Sequence, residues 1–265
     1  MRRAPLILSL VILLAPGLSA QARGDQSRLS FGIGLGYSGA TDVWSIDGQP
    51  ILDNFAEDTA SFSRAVRPTL GITFLGSYYP DDRWGVVGSI HLLGLAFEDT
   101  CTLHTNSGSA NNAAICNDID GSTSPGTTVA ATLGGLYRPF PWTEVQPYLR
   151  LDAGVLLSQQ SSTRMRATYE RPSSPDSLVD YFVYQDDHPA SVQPAFAVGA
   201  GLTAFISRSY QVRLEGKDNL VWLEEVTETV PFPNMVPPTA KGLHHVFSLT
   251  IAIEVVLEKK RGRRY

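Results

Sequence analysis

The stretch from His244 to Leu257, HHVFSLTIAIEVVL, constrains the fold of this chain more than any other. Phe247, Leu249, Ile251, Ile253, Val255 and Leu257 fall at every second position, with Ser248, Thr250, Ala252 and Glu254 between them. Side chains alternate sides along a strand, so the stretch predicts a β-strand with one aliphatic face and one small or polar face. A strand of this kind needs a partner along each edge and something apolar against its greasy face.

Seven upstream segments repeat the pattern. Ser27 to Ser38 sets Leu29, Phe31, Ile33, Leu35 and Tyr37 against Ser30, Gly32, Gly34 and Gly36. Ala65 to Tyr79, Trp84 to Glu98, Thr127 to Arg138, Val145 to Ser158, Gln193 to Ile206 and Tyr210 to Leu220 follow. Leu93, Leu95 and Phe97 blur the end of the third segment, as a bulge or rim extension does, and Asp218 interrupts the greasy side of the seventh. The connections alternate in length. Pro80-Asp81-Asp82-Arg83, residues 139 to 142 and Ser207-Arg208-Ser209 are short turns. Residues 39 to 64, 99 to 126, 159 to 191 and 222 to 243 lose the alternation, gain Gly, Pro, Asp and Ser, and read as long loops. Within the third of these, TRMRATYE and LVDYFVYQ flank Arg171-Pro172-Ser173-Ser174-Pro175 and fit a hairpin continuing beyond the neighbouring strands. Its entry into the barrel would give ten strands, but Arg164, Arg166, Glu170 and Asp180 make that costly in lipid.

Met1 to Ala22 joins Arg2 and Arg3 to the apolar run Leu6 to Leu14 and ends Ala20-Gln21-Ala22. That is the layout of a cleaved secretory signal. Pro16 and Gly17 break the run well short of the ~20 apolar residues a spanning helix needs. Without the signal the chain keeps 19 basic and 26 acidic residues, a net −7, which disfavours nucleic acid as a partner. Charged residues make up only 18% of the chain, against roughly 25% in soluble domains. An exported chain with no long apolar helix after its signal enters a membrane only as a closed sheet.

Which face points inward separates a membrane barrel from a soluble one. A water-soluble eight-stranded barrel of the lipocalin kind puts aliphatic residues inside and Lys and Glu outside. Here the second face is mostly Gly, Ala, Ser and Thr, with charges on a few strands, which suits a crowded barrel interior. Tyr78, Trp84, Tyr137, Trp142 and Tyr210 gather by the short turns, and Tyr37, Phe62 and Phe247 toward the long loops, as interfacial girdles do. Eleven residues at ~3.3 Å rise and about 45° tilt climb roughly 26 Å, close to the ~25 Å apolar band of such barrels.

The signal, the eight alternating segments and the long/short rhythm together resemble the small outer-membrane β-barrel family of the OmpA/OmpX type. The resemblance implies an all-β, eight-stranded antiparallel up-and-down barrel over residues 23–258, with short periplasmic turns, long extracellular loops and a basic periplasmic tail at 259–265. It implies outer-membrane lipid and the barrel-assembly machinery as partners, and a monomer. Such barrels usually end on an aromatic residue that closes the last strand; here EKKRGRR separates Leu257 from Tyr265, so assembly must read Tyr265 at a distance or an internal signal.

Arg150, Asp152, Arg213, Glu215, Lys217 and Glu254 share the inward face, with Arg138 and His91 beside them. Charges enclosed by lipid must be paired or hydrated, and eight strands leave room for little more than side chains. The expectation is a polar plug; the alternative is a narrow path for ions or small solutes. Cys101 and Cys116, in one exported loop, predict a disulfide. No Cys/His spacing supports a metal site, and no cofactor is expected. His244, His245 and Ser248 raise a lipid-modifying enzyme as a third reading, but the His-x-Ser spacing that such enzymes resemble is missing. The expected role is structural, or binding of an extracellular ligand through the loops, with the basic tail Lys259 to Arg264 placed to touch anionic headgroups or cell-wall polymer.

Overall fold

The computed structural model describes residues 29–40, 42–53, 56–94, 96–104, 107–124, 126–158, 163–170, 178–184, 191–207, 209–227 and 238–257. The signal-like segment 1–22 and the basic tail 259–265 lie outside them. In chain order the elements are β1 (Leu29–Ala40), β2 (Asp42–Asp53), β3 (Ala56–Arg67), β4 (Thr69–Tyr78), β5 (Trp84–Gly94), β6 (Ala96–Leu103), α1 (Ala110–Ile119) and β7 (Thr123–Ser124). Then come β8 (Thr127–Tyr137), β9 (Val145–Ser158), β10 (Met165–Glu170), β11 (Leu178–Tyr184), β12 (Ser191–Phe205), β13 (Tyr210–Val226) and β14 (Thr239–Leu257).

Eight strands close a barrel in the order β1-β14-β13-β12-β9-β8-β5-β4. The stretch that opened the reading closes it: β14 pairs antiparallel with both β13 and β1, with Leu29 opposite Leu257 and Leu35 opposite Ile251. No barrel strand is left with an open edge. The register puts the aliphatic face outward. Leu35, Leu70, Leu133, Leu151 and Ile251 are all more than half exposed, while Gly34, Thr73, Arg150, Arg213 and Glu254 point in and are buried. A continuous aliphatic belt around a closed sheet has no counterpart on a soluble monomer, whose apolar patches stay near a few hundred Å²; this wall faces lipid. Trp84 lies against Tyr137 at 4.7 Å, and with exposed Tyr78, Trp142 and Tyr210 it rings the short-turn end.

The long connections depart from the expectation of loops. Residues 39 to 64 are mainly the hairpin β2–β3, and the register shifts after Asp42 and Ile46, with Gly48 at φ +66°, hid its alternation. The second barrel segment therefore begins at Thr69, since Ala65 to Arg67 belong to β3. The third ends at Gly94; beyond it the chain leaves the barrel as β6, which joins β2, β3 and β7 in a four-stranded sheet. The region 99–126 holds the helix α1, capped by Ser109 Oγ, which accepts from Asn112 N at 3.3 Å, and followed by Gly121 at φ +75°. Residues 222 to 243 shrink to a connection at 227–238, because β13 and β14 run on together beyond the wall. The hairpin expected within 159–191 is present: β10 and β11 form a two-stranded sheet outside the barrel, which keeps eight strands.

These pieces fold over one mouth of the barrel as a cap. Trp44, Ile51, Phe62, Phe97, Ile115, Ile119, Met165 and Tyr184 are buried in one apolar core, which runs without a break into Ala130, Leu156, Ala195, Val221 and Val246 of the barrel strands. Phe62 therefore belongs to the cap core and not to an interfacial girdle; it is fully buried, with its ring 6.0 Å from that of Tyr184. Phe196 and Trp222, 5.9 Å apart, stand on the outer wall near that end instead.

If the outer wall faces lipid, Ile251→Arg, at mid-belt, costs about 2–4 kcal/mol and Leu257→Arg, near the short-turn rim, about 1 kcal/mol or less. Urea titrations of the protein folded into vesicles read the difference; equal costs would contradict a lipid-facing wall.

Candidate functional site

The inward polar residues of β13 carry alternating charge along the axis. Gln211, Arg213, Glu215 and Lys217 climb from the short turns toward the cap, all buried. Lowest, Arg213 Nε bonds Glu254 Oε1, whose Oε2 accepts from Ser30 Oγ at 2.7 Å and Gln211 Nε2 at 2.5 Å. Arg213 also donates to Ser77 Oγ at 2.8 Å. In the middle, Arg150 donates to Glu215 at 3.0 Å, Asp152 at 2.8 Å and Ser89 at 2.7 Å, while Tyr148 donates to Glu215 at 2.7 Å. Highest, Lys217 Nζ donates to His91 Nε2 at 2.8 Å, so the imidazole proton sits on Nδ1 and goes to Thr73 Oγ1, also at 2.8 Å. All six residues of the expected cluster meet here, and His91 joins them. Arg138 stands apart at the short-turn end, its guanidinium stacked 3.5 Å over the ring of Tyr79.

The inward glycines make this packing possible. Gly32 faces Glu254, Gly134 faces Asp152, Gly199 faces Lys217 and Gly201 faces Tyr148 across paired strands. A Cβ on Gly32 would come within 2.6 Å of Glu254 Cγ, and one on Gly199 within 2.7 Å of Lys217 Cγ. Glu254, Asp152, Lys217 and Tyr148 thus each lie over a glycine of a neighbour strand, whereas Arg213 lies between Thr203 and Ala252. The result is tight: Arg150 and Arg213 are 1% exposed, Glu215 2% and Glu254 0%. A lumen open to water at this level would leave such side chains wetted.

The cap has its own polar anchors. The Cys101–Cys116 disulfide ties β6 to α1, with Cα atoms 5.4 Å apart. Arg64 is fully buried and holds Asp99 through Nη2 at 2.7 Å, while its guanidinium lies 5.2 Å over Phe97. It also donates to the carbonyl of Arg164, bringing the β10–β11 hairpin onto the sheet. Tyr181 Oη accepts from Leu52 N at 3.3 Å and donates to Leu52 O at 3.2 Å, a second tie. Burial pushes the Asp58 carboxyl up, but hydrogen bonds from Asn112 and from the side chain and backbone of Ser107 outweigh it and hold it below 3.8.

The serine and histidines considered for lipid chemistry are not brought together. Ser248 faces inward and takes a hydrogen bond from Asn219 at 3.1 Å. His244, also inward, lies 2.9 Å from Glu225 at the rim, whereas His245 faces outward and meets Asp218 at 2.8 Å. A second serine–histidine contact, unforeseen in the sequence, lies on the exposed face of the cap sheet. There Ser61 Oγ donates its proton to Asp47 Oδ1 at 2.6 Å, so His104 Nε2 must donate to Ser61 and does not act as its base. Among the described residues no three metal-ligating side chains converge.

No family model matches the sequence, and no curated protein does. Solved structures with a similar fold include the outer membrane protein OprG from Pseudomonas aeruginosa, at 12% identity, covering 88% of this chain and 98% of that one, with a TM-score of 0.45. Neisserial surface protein A is similar at 8% identity over 86% and 97% of the two chains, with a TM-score of 0.41. The outer membrane protease OmpT from Escherichia coli is similar at 8% over 89% and 100%, with a TM-score of 0.37. The molecule has the architecture of a small outer-membrane β-barrel. The likenesses assign it no activity; the assignment of fold rests on the closed strand order and the outward aliphatic belt.

Glu254→Ala removes the nearer carboxylate of Arg213 and leaves it Glu215 at 3.7 Å, and costs about 3 kcal/mol in vesicle-based unfolding, with Glu254→Gln costing less. Equal stability of Glu254→Ala and the parent would contradict a paired ladder. Because the folded Asp58 carboxyl titrates below 3.8, its contribution is complete above that pH and is lost as the pH falls through the lower folded value. Near-ultraviolet dichroism of the cap aromatics should follow that loss, and Asp58→Asn should blunt it; superimposable acid titrations would count against the role given to Asp58.

Proposed function

We propose that this protein is an exported bacterial outer-membrane barrel whose sealed interior serves as a rigid pedestal, and whose cap is its working part, presented outside the cell for binding or for envelope structure. The observation that carries the reading is the combination of a dry charge ladder through the lumen with a folded, disulfide-tied cap over the mouth. A pore has no use for Arg150 and Arg213 at 1% exposure, and a mere set of linkers has no use for a buried Arg64–Asp99 pair. The secretory layout of residues 1–22 and the even strand number support both termini in the periplasm and the cap on the outside. An oxidising exterior suits the disulfide.

The outer face of the cap sheet is hydroxyl-rich. Ser63 Oγ and Thr100 Oγ1 lie 2.5 Å apart, and Ser61 and Thr102 are opposite each other in the next row but one residue along. A flat face of hydroxyls with Asp47 and His104 at one end favours a polar partner such as a saccharide over an apolar one. The protein functions as a monomer in this reading, since the barrel is complete within one chain.

Planar bilayers containing the purified protein should show no stable unitary openings, for the parent and for Glu215→Ala alike. Reproducible openings whose size changes in Glu215→Ala would overturn the sealed-pedestal reading and favour a narrow channel.

A further inference from the structure

We propose that the outer wall of the barrel carries a site for one phosphate-bearing membrane lipid, its headgroup held by His245 on Asp218 and its chain lying in a groove over Gly216 and Ala200. The proposal rests on the lipid-facing reading of that wall.

Asp218 and His245 face outward, not inward. Their side chains are 22% and 55% exposed, and His245 Nδ1 meets Asp218 Oδ2 at 2.8 Å. In register they sit among Leu220, Val198 and Phe247. The pair stands at the long-loop end of the lipid-facing wall, level with Phe247, where a lipid headgroup would lie. It is not a good stabilising device, because Asp218 Oδ1 is buried with no hydrogen-bond partner, which carries its own cost.

The geometry leaves one edge of the imidazole for a ligand. Asp218 engages Nδ1, and the ring stacks on Phe247 at 6.3 Å and 19°. Nε2 is then directed away from the carboxylate, on a ring that is more than half exposed. With Nδ1–H on the carboxylate and Nε2–H on a phosphate oxygen, the ring is a doubly donating imidazolium between two anions.

A place for the chain begins one step below. Gly216 lies two residues from Asp218 on the same face, ~7 Å along the strand. Leu249, Gly216, Ala200 and Leu149 form one register row across four strands. The two smallest residues stand in its middle, and a groove of about 410 Å³ follows them down to Pro147 and Pro139 at the short turns. Its lining is apolar, and its Gly216 lies two residues along β13 from Asp218 of the only outward carboxylate–imidazole pair among the described residues. A lane that is polar at the top and greasy below matches a lipid headgroup and one acyl chain. A second copy of the barrel would instead need a broad face of about 800 Å² per partner.

The test uses the full-length protein inserted into vesicles of phosphatidylglycerol and phosphatidylethanolamine, extracted in mild detergent and weighed by native mass spectrometry. The parent should retain one lipid. His245→Ala and Gly216→Leu should each retain about tenfold less, equivalent to ~1.4 kcal/mol. A Cβ at Gly216 meets nothing nearer than the Ala200 carbonyl at 4.0 Å, so the second variant fills the groove without disturbing the sheet. Retention unchanged in either variant overturns the proposal. Heat-dependent gel migration checks the barrel separately. A parent that fails to insert defeats the membrane reading, whereas one that inserts and holds no lipid defeats this site alone.

Discussion

Backbone hydrogen bonding in lipid sets the terms for everything else in this molecule. With no water to satisfy an open strand edge, the sheet has to close, and it does so where β14 meets β1. Closure of eight strands leaves a lumen that only side chains fill. Those side chains hang from a wall whose other face must be aliphatic, so the polar residues have nowhere to go but in. The charge ladder Arg213–Glu254, Arg150–Glu215–Asp152 and Lys217–His91 is the consequence. It is tolerable because each charge has a partner, and because glycines opposite Glu254, Asp152, Lys217 and Tyr148 leave room for the long side chains.

Closure at the top follows a different chemistry. Where the inward face rises past Lys217 the charges give way to Asn219, Ser248 and Thr128 among the apolar Ala130, Leu156, Val221 and Val246, and the apolar ones need cover. The cap supplies it. The barrel and cap thus share one continuous core at the mouth, and the cap is tied together within itself. The Cys101–Cys116 disulfide fixes the helix to β6, and Arg64 reaches from the sheet to the backbone of the β10–β11 hairpin.

The barrel was legible in the sequence because a lipid wall enforces strict alternation, and a two-residue period survives in the letters. The inward charges were legible for the same reason, since their positions follow from the parity of their neighbours. Asp218 stood out as a break in that parity, and the structure gives it a partner in His245. The cap was not legible. Its strands β2 and β3 shift register twice, its helix has ten residues with Asn112, Ile115, Cys116 and Ile119 buried, and its core draws Trp44, Phe97 and Tyr184 from distant segments separated by Gly, Asp and Ser. Turn-rich composition reads as loop when the pairing that orders it is long-range. The Phe62 ring shows the same limit: an aromatic near a strand end looks interfacial until the partner hairpin covers it.

The central claim is that no water passes through the charge ladder. Water-edited magic-angle-spinning NMR of the isotopically labelled protein in bilayers measures this directly, through the rate at which magnetisation moves from water to the guanidinium groups. Arg150 and Arg213 should receive it only slowly, while Arg83 by the exposed turn receives it at once. Transfer to Arg150 and Arg213 as fast as to Arg83 would mean a wetted lumen, and would contradict the sealed barrel.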